Sequence, residues 1–229
     1  MDPRTPEPLT PEPAIVAGYP TRQLRLQLGA LGVDLLTVKR LEDYVDTDAL
    51  LRDADAPEPP YWAHLWTGSR ALARLVATDI DCAGRRIIEL GCGLGLAGVV
   101  AARRGAVVTL MDSAWAGVCF AAANAALNGC GAQVMQADLC LPGLRGVFDG
   151  ALAADVTYDP VLQVAVAGFL AAHLAPGGRA WCAESVRTVD QGFRRACESR
   201  GLQVMEHEVR EPEDGREVPV RISEVGLRR

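Results

Sequence analysis

Residues 86–98 read Arg-Ile-Ile-Glu-Leu-Gly-Cys-Gly-Leu-Gly-Leu-Ala-Gly. A short apolar run enters glycines at 91, 93 and 95, and an apolar helical pattern follows through Arg104. An apolar run bounded by turn residues fits a strand buried on both faces. Strand, glycine turn and helix in succession make the opening unit of a parallel α/β sheet. Downstream the rhythm repeats. Strands are expected at Val107–Met111, Gln133–Gln136, Phe148–Ala154 and Gly178–Glu184. Helices are expected from a Ser113 cap to about Asn128, over Pro160–Leu174 and over Asp190–Arg200. Two extended pieces, about Gln203–Arg210 and Val218–Leu227, close the chain around a polar turn at Pro212–Gly215. No helix separates them, so they should pair antiparallel. The expected fold is α/β, a doubly wound, mostly parallel, Rossmann-like sheet of seven strands with an antiparallel C-terminal pair.

Upstream, Trp62, Leu65, Trp66, Leu72, Leu75 and Val76 fall at helical spacing, which predicts a helix over about Gly68–Thr78. Residues 1–20 hold six prolines and read as a flexible tail. Residues 21–56 read as a small N-terminal cap: Leu24, Leu26 and Leu28 alternate on a strand, Val33–Leu41 returns as a second, and Asp46 can cap a helix over Thr47–Arg52. Residues 57–229 form the main domain.

The chain has 229 residues, 49% hydrophobic and 23% charged, which suits one globular domain. Its 23 basic and 29 acidic residues give a net charge of −6, which argues against a sequence-independent grip on nucleic acid. The seven cysteines are odd in number and scattered, with no Cys-x-x-Cys pair, so they read as free thiols rather than disulfides or metal ligands. No apolar run approaches the roughly 20 residues of a membrane span, and no basic-then-apolar leader opens the sequence. A cytoplasmic location is expected.

Ligands of open parallel sheets bind outside the carboxyl ends of the strands. Four successive strand ends here carry an acid: Glu89, Asp112, Asp138 and Asp155. Any one could be a helix cap; four together point to a ligand. Gly93-x-Gly95-x-x-Gly98 also fits a dinucleotide fingerprint, with Asp112 near the spacing of a ribose-binding acid. Glu89, just before the tight turn, would repel a pyrophosphate there. S-adenosyl-L-methionine carries a sulfonium, an ammonium, a ribose and an adenine, and no phosphate. The acidic row suits it.

Glu89-x-Gly91-x-Gly93-x-Gly95 with Asp112 and Asp138 resembles the seven-β-strand (class I) S-adenosylmethionine-dependent methyltransferases, from about Tyr61 to the C-terminus. Pro60–Trp66 (Pro-Tyr-Trp-Ala-His-Leu-Trp) and Asp155-Val-Thr-Tyr-Asp159 resemble the protein-lysine methyltransferase group that includes the electron-transfer-flavoprotein β-subunit and calmodulin enzymes. Thr67 stands where that group commonly has proline.

The resemblance implies S-adenosyl-L-methionine as cofactor, with S-adenosyl-L-homocysteine as product and no metal. It implies that Gly91, Gly93 and Gly95 let the backbone approach the methionyl part, and that Glu89 lies near the ammonium. Asp112 would take the ribose hydroxyls, Asp138 the adenine amine, and Leu139 would offer its backbone N–H to the ring. Trp66 is placed either against the donor or in the core. Asp155 and Tyr158, at i and i+3 past a strand end, are the candidate catalytic pair, Asp155 deprotonating an acceptor amine and Tyr158 lining its channel. The expected partner is a protein substrate, with transfer to a lysine amine. The alternatives are a small-molecule N- or O-methyltransferase and a non-catalytic donor-binding domain.

Overall fold

The computed structural model describes residues 14–45, 59–185 and 191–228. The helix expected over Thr47–Arg52 lies outside them. Three strands open the described chain: β1 (Ile15–Val16), β2 (Tyr19–Leu28) and β3 (Leu31–Val38), paired antiparallel in that order. The flexible tail expected through residue 20 therefore overlaps folded chain. Pro20 is tolerated because it pairs with Ile15 at the strand's start, where no interior ladder bond is lost, and the Thr21 amide and hydroxyl both donate to Ala14 O.

Tyr61–Ala63 forms one 3₁₀ turn and His64–Trp66 runs on before α1 (Thr67–Thr78) begins. The helix thus matches the one expected over about Gly68–Thr78, with Trp62 and Trp66 standing before it. Then follow β4 (Arg86–Leu90), α2 (Leu96–Arg103), β5 (Val107–Asp112), α3 (Trp115–Leu127), β6 (Gln133–Gln136), β7 (Phe148–Ala154), α4 (Pro160–His173), β8 (Leu174–Ser185), α5 (Gly192–Glu198), β9 (Leu202–Glu213) and β10 (Arg216–Leu227). The seven-stranded sheet has the order β6-β5-β4-β7-β8-β10-β9. Neighbours from β6 through β8 are parallel, and β10 runs antiparallel to both β8 and β9.

The closing turn is shorter than Pro212–Gly215. Asp214 and Gly215 alone form it, both with positive φ (48° and 75°), the conformation a two-residue Asp-Gly hairpin demands. Pro212 stays within β9 because β9 is the sheet edge, where a missing N–H is harmless. The start of α3 is also served differently than expected: Asp112 Oδ1, not Ser113, accepts the Ala114 amide at 2.8 Å.

Strand alternation divides the core between two faces. Ile87 packs with Leu72, Val76, Leu96, Val100 and Phe120 beneath α1, α2 and α3. Ile88 and Leu90 pack with Val166, Phe169, Leu170 and Phe193 beneath α4 and α5. Glu89 shares the parity of Ile87, so the pleat drives a carboxylate into the first layer.

The N-terminal hairpin adds Leu28, Val33, Leu35 and Val38 to that layer. Its docking is polar as well. Asn124, fully buried on α3, accepts the Leu36 amide at 2.7 Å and donates to Leu36 O (3.2 Å) and Leu94 O (2.8 Å). Asn128 repeats the pattern on Asp34, at 3.0 and 2.6 Å. Four residues of helix rise about 6 Å and two of strand about 6.6 Å, so Asn at i and i+4 can pair with strand residues at i and i+2.

Candidate active site

The ends of β4, β5 and β7 and the loop after β6 open onto one cleft, together with the turn before α1. The glycine turn forms its floor. Gly93 has φ 49°, and a Cβ there would stand 2.6 Å from Trp62 O. At Gly91, φ 58°, a Cβ would meet Val156 at 2.8 Å. Positive φ and close backbone approach both require glycine. The crowding atoms belong to the protein itself, so these glycines fit the turn beneath Trp62 and Val156. Gly95 is not among the residues lining the cleft; it precedes α2, and a Cβ there would stand 3.0 Å from Ala121 Cβ.

Glu89 lines the cleft and is almost wholly buried, with Oε2 accepting the Gly98 amide at 2.8 Å in the first turn of α2. Burial pushes its carboxyl up to about 8, against the pull of the Gly98 and Ala97 amides and with a smaller push from Asp112. Asp112 is buried as well, and burial raises it too. Oδ2 accepts the Gly93 amide at 2.7 Å and Oδ1 the Ala114 amide at 2.8 Å. One side chain thus ties the glycine turn to the start of α3. An ionised carboxylate has about four lone-pair sites, so capacity for hydroxyl donors remains. Asp138 is exposed at the cleft edge, oriented by the Cys140 amide on Oδ1 at 2.8 Å, and Leu139 is buried beside it.

Across the cleft, Asp155 ends β7 with φ 51°, a left-handed conformation that aspartate tolerates better than most residues. Its amide donates to Ala183 O and its Oδ1 accepts the Ser185 amide, both at 2.8 Å. Aromatic rings frame the mouth beside it. Tyr158 is 65% exposed, its ring 6.1 Å from Tyr61, which lies 6.2 Å from Trp66, itself 4.5 Å from His64. Trp66 is the N-cap residue of α1, half-buried, with Nε1 donating to Tyr61 O at 3.0 Å. It belongs to the rim rather than to the core.

The cleft gathers Trp66, Glu89, Gly91, Gly93, Asp112, Asp138, Leu139, Asp155 and Tyr158, every candidate except Gly95. Trp62, Tyr61 and Ser69 line it too. Asp159, one residue past Tyr158, caps α4 by accepting the Val161 and Leu162 amides, which separates the two acids of Asp155–Asp159 into different tasks.

Residues 61–153 match the methyltransferase small domain family. The 16S rRNA N2 G1207 methyltransferase of T. thermophilus, solved with AdoMet and guanosine, superposes over 91% of this chain and 51% of its own with a TM-score of 0.63 and 18% identity. A ribosomal protein L11 methylase from Lactobacillus delbrueckii subsp. bulgaricus superposes over 71% of this chain and 79% of its own, with a TM-score of 0.57 and 18% identity. The chain has the class I methyltransferase fold. This methyltransferase fold also carries a resemblance at higher identity: the Xenopus laevis electron transfer flavoprotein β-subunit lysine methyltransferase is 32% identical over 106 residues, 45% of this chain and 43% of that protein. The chain spans less than half the length of the curated relatives it matches.

Sequence match and fold together support an S-adenosylmethionine-dependent methyltransferase, and the residues present fit that cofactor. Four acidic side chains, Glu89, Asp112, Asp138 and Asp155, line one cleft, which suits a ligand bearing a sulfonium, an ammonium and a diol. Among the described residues no group of three or more His, Cys, Asp or Glu side chains could hold a metal ion, and no helix is long and apolar enough to cross a membrane.

Proposed function

We propose that the chain transfers a methyl group from S-adenosyl-L-methionine to the side-chain amine of a lysine in a protein substrate. The observation that carries this reading is the pairing of a carboxylate held on the Ser185 backbone amide, Asp155, with an exposed aromatic rim at the same mouth. A long cationic side chain is attracted to ring faces within about 6 Å, and Tyr158 and Tyr61 on the rim are exposed, as a protein acceptor needs. The named relatives of similar sequence are lysine methyltransferases.

In this reading Glu89, Asp112, Asp138 and the Leu139 amide hold the cofactor, which supplies an electrophilic methyl group on a sulfonium. The remaining work falls to this chain's own residues. A lysine amine with an ordinary pKa near 10.4 is protonated at neutral pH and is no nucleophile. Asp155 draws the ammonium inward by its charge and takes a proton on its carboxylate as the amine commits. Tyr158, Tyr61 and Trp66 strip water from the amine's path, which further favours its neutral form. Little covalent help is needed beyond alignment of the reacting atoms at roughly 3 Å.

Incubation of the protein with tritium-labelled S-adenosyl-L-methionine in a lysate lacking it should label a protein band of defined mass, and acid hydrolysis of that band should release methyl-lysine. Label confined to small molecules, or to RNA, would refute the protein-lysine assignment.

A further inference from the structure

Gly68 is the second residue of α1, and its φ is not in the left-handed region. Alanine would fit the backbone there and would be the better helix former by about 1 kcal/mol. Space explains the glycine instead. A Cβ at 68 would stand 2.3 Å from Asp155 Oδ2 and 2.8 Å from Asp155 Cγ. The Asp155 carboxylate occupies the volume that any other residue would fill with its own side chain. A negative charge at the start of a helix is also favourably placed.

The helix cannot easily retreat to make room. The Thr67 hydroxyl donates to Glu213 Oε1, and Arg70 donates to Glu213 at 3.1 Å and to Pro212 O at 3.2 Å. Arg74 holds both oxygens of the buried Glu211 at 3.0 and 3.1 Å. These contacts tie the first two turns of α1 to the end of the β9–β10 hairpin. The Thr67 bond most of all, then Arg70 and a smaller pull from His64, hold the Glu213 carboxyl below its ordinary range, so the anchor stays charged. On the other side, Asp155 is fixed through Ala183 and Ser185. The three nearest atoms a Cβ at 68 would meet all belong to the Asp155 carboxyl group, whose Oδ1 the Ser185 amide holds.

We propose that Gly68 is a positioning residue: by lacking a side chain it sets where the Asp155 carboxylate stands in the cleft. The inference rests on the reading that Asp155 serves the acceptor amine. Because the atoms that must move lie at the end of one side chain, replacing Gly68 displaces the carboxylate and leaves the fold intact.

The test compares Gly68→Ala, Asp155→Ala and the double variant in the full chain. Three quantities are read: the melting temperature, S-adenosyl-L-homocysteine affinity by calorimetry, and the initial rate of tritiated methyl incorporation into lysate protein. Gly68→Ala should melt within a few degrees of the parent and bind the product within about threefold, yet transfer at least tenfold more slowly. The double variant should be no slower than Asp155→Ala alone, because the two changes remove the same function. A parental rate for Gly68→Ala, or rate losses that multiply in the double variant, overturns the proposal. Should Gly68→Ala destabilise the fold, the same change made in Asp155→Ala must be harmless, and a persistent loss of stability there overturns it too. A parental rate for Asp155→Ala refutes the role given to Asp155 itself, a different failure from an unaffected Gly68→Ala.

Discussion

The two walls of the cleft use their carboxylates in opposite ways. On the β4–β5 side, Glu89 and Asp112 are buried and accept the amides of Gly98, Gly93 and Ala114, so each builds the local turn as well as facing the cleft. Those bonds join residues up to 19 positions apart. On the β7–β8 side, Asp155 reaches Ser185, 30 positions on, and lies against Gly68, far upstream in the sequence. The first wall is a local device that follows its own motif. The second exists only after α1, β7, β8 and the β9–β10 hairpin have met.

The contrast breaks most sharply at Asp155. Asp155→Ala should lower transfer by about 10³-fold, the scale of a lost general base, with donor affinity within a few-fold by calorimetry. Loss of donor binding would move Asp155 to the other wall. Asp112→Ala should do the reverse, weakening product binding by about 10- to 100-fold. It should also lower stability by roughly 2–4 kcal/mol in urea melts, since the buried Gly93 amide and the part-buried Ala114 amide lose their acceptor.

Glu89 gives its own wall a pH signature. Its folded carboxyl holds a proton up to about 8, while the unfolded chain releases it near 4.5. The folded state thus binds more protons across that window, and stability is lost as pH rises through it. Glu89→Gln should flatten that fall in melting temperature. Binding of a cationic ligand should favour the ionised form, releasing a proton at neutral pH, seen as a dependence of binding heat on the buffer's ionisation enthalpy.

Smaller effects lie away from the cleft. Asn124→Ala should cost roughly 2–4 kcal/mol by loosening β3, with product affinity unchanged. Thr67→Pro places proline at the first helical position, where it is well tolerated, and removes one hydroxyl bond to Glu213. Its melting temperature should change by less than about 1 kcal/mol equivalent, since Arg70 still holds the hairpin.

Legibility in the sequence follows this division. The run Arg86–Gly98 shows its strand and turn plainly because apolar periodicity and glycine are local signals. Glu89, Asp112, Asp138 and Asp155 are visible because a parallel sheet brings its strand ends to one edge whatever the details. Gly68 is not visible in this way: a glycine in a helix shows no sign of what presses on it. Nor is the docking role of Asn124 and Asn128 visible, because their partners on β3 lie 88 and 94 residues away. The helix expected over about Gly68–Thr78 is found at Thr67–Thr78, but aromatic spacing alone does not show that Trp62 and Trp66 stand before it on a rim.

By itself the sequence determined the alternation of strands and helices, the mostly parallel sheet and the acids along its edge. Each of these is set by periodicity or by position within one β–α unit. Only the tertiary structure decided that β10 inserts between β8 and β9, that Trp66 stands on a rim beside Tyr61 and Tyr158, and that the Asp155 carboxylate occupies the space left by Gly68. Those are contacts between segments far apart in the chain, and the same local patterns are compatible with many of them until close packing selects one.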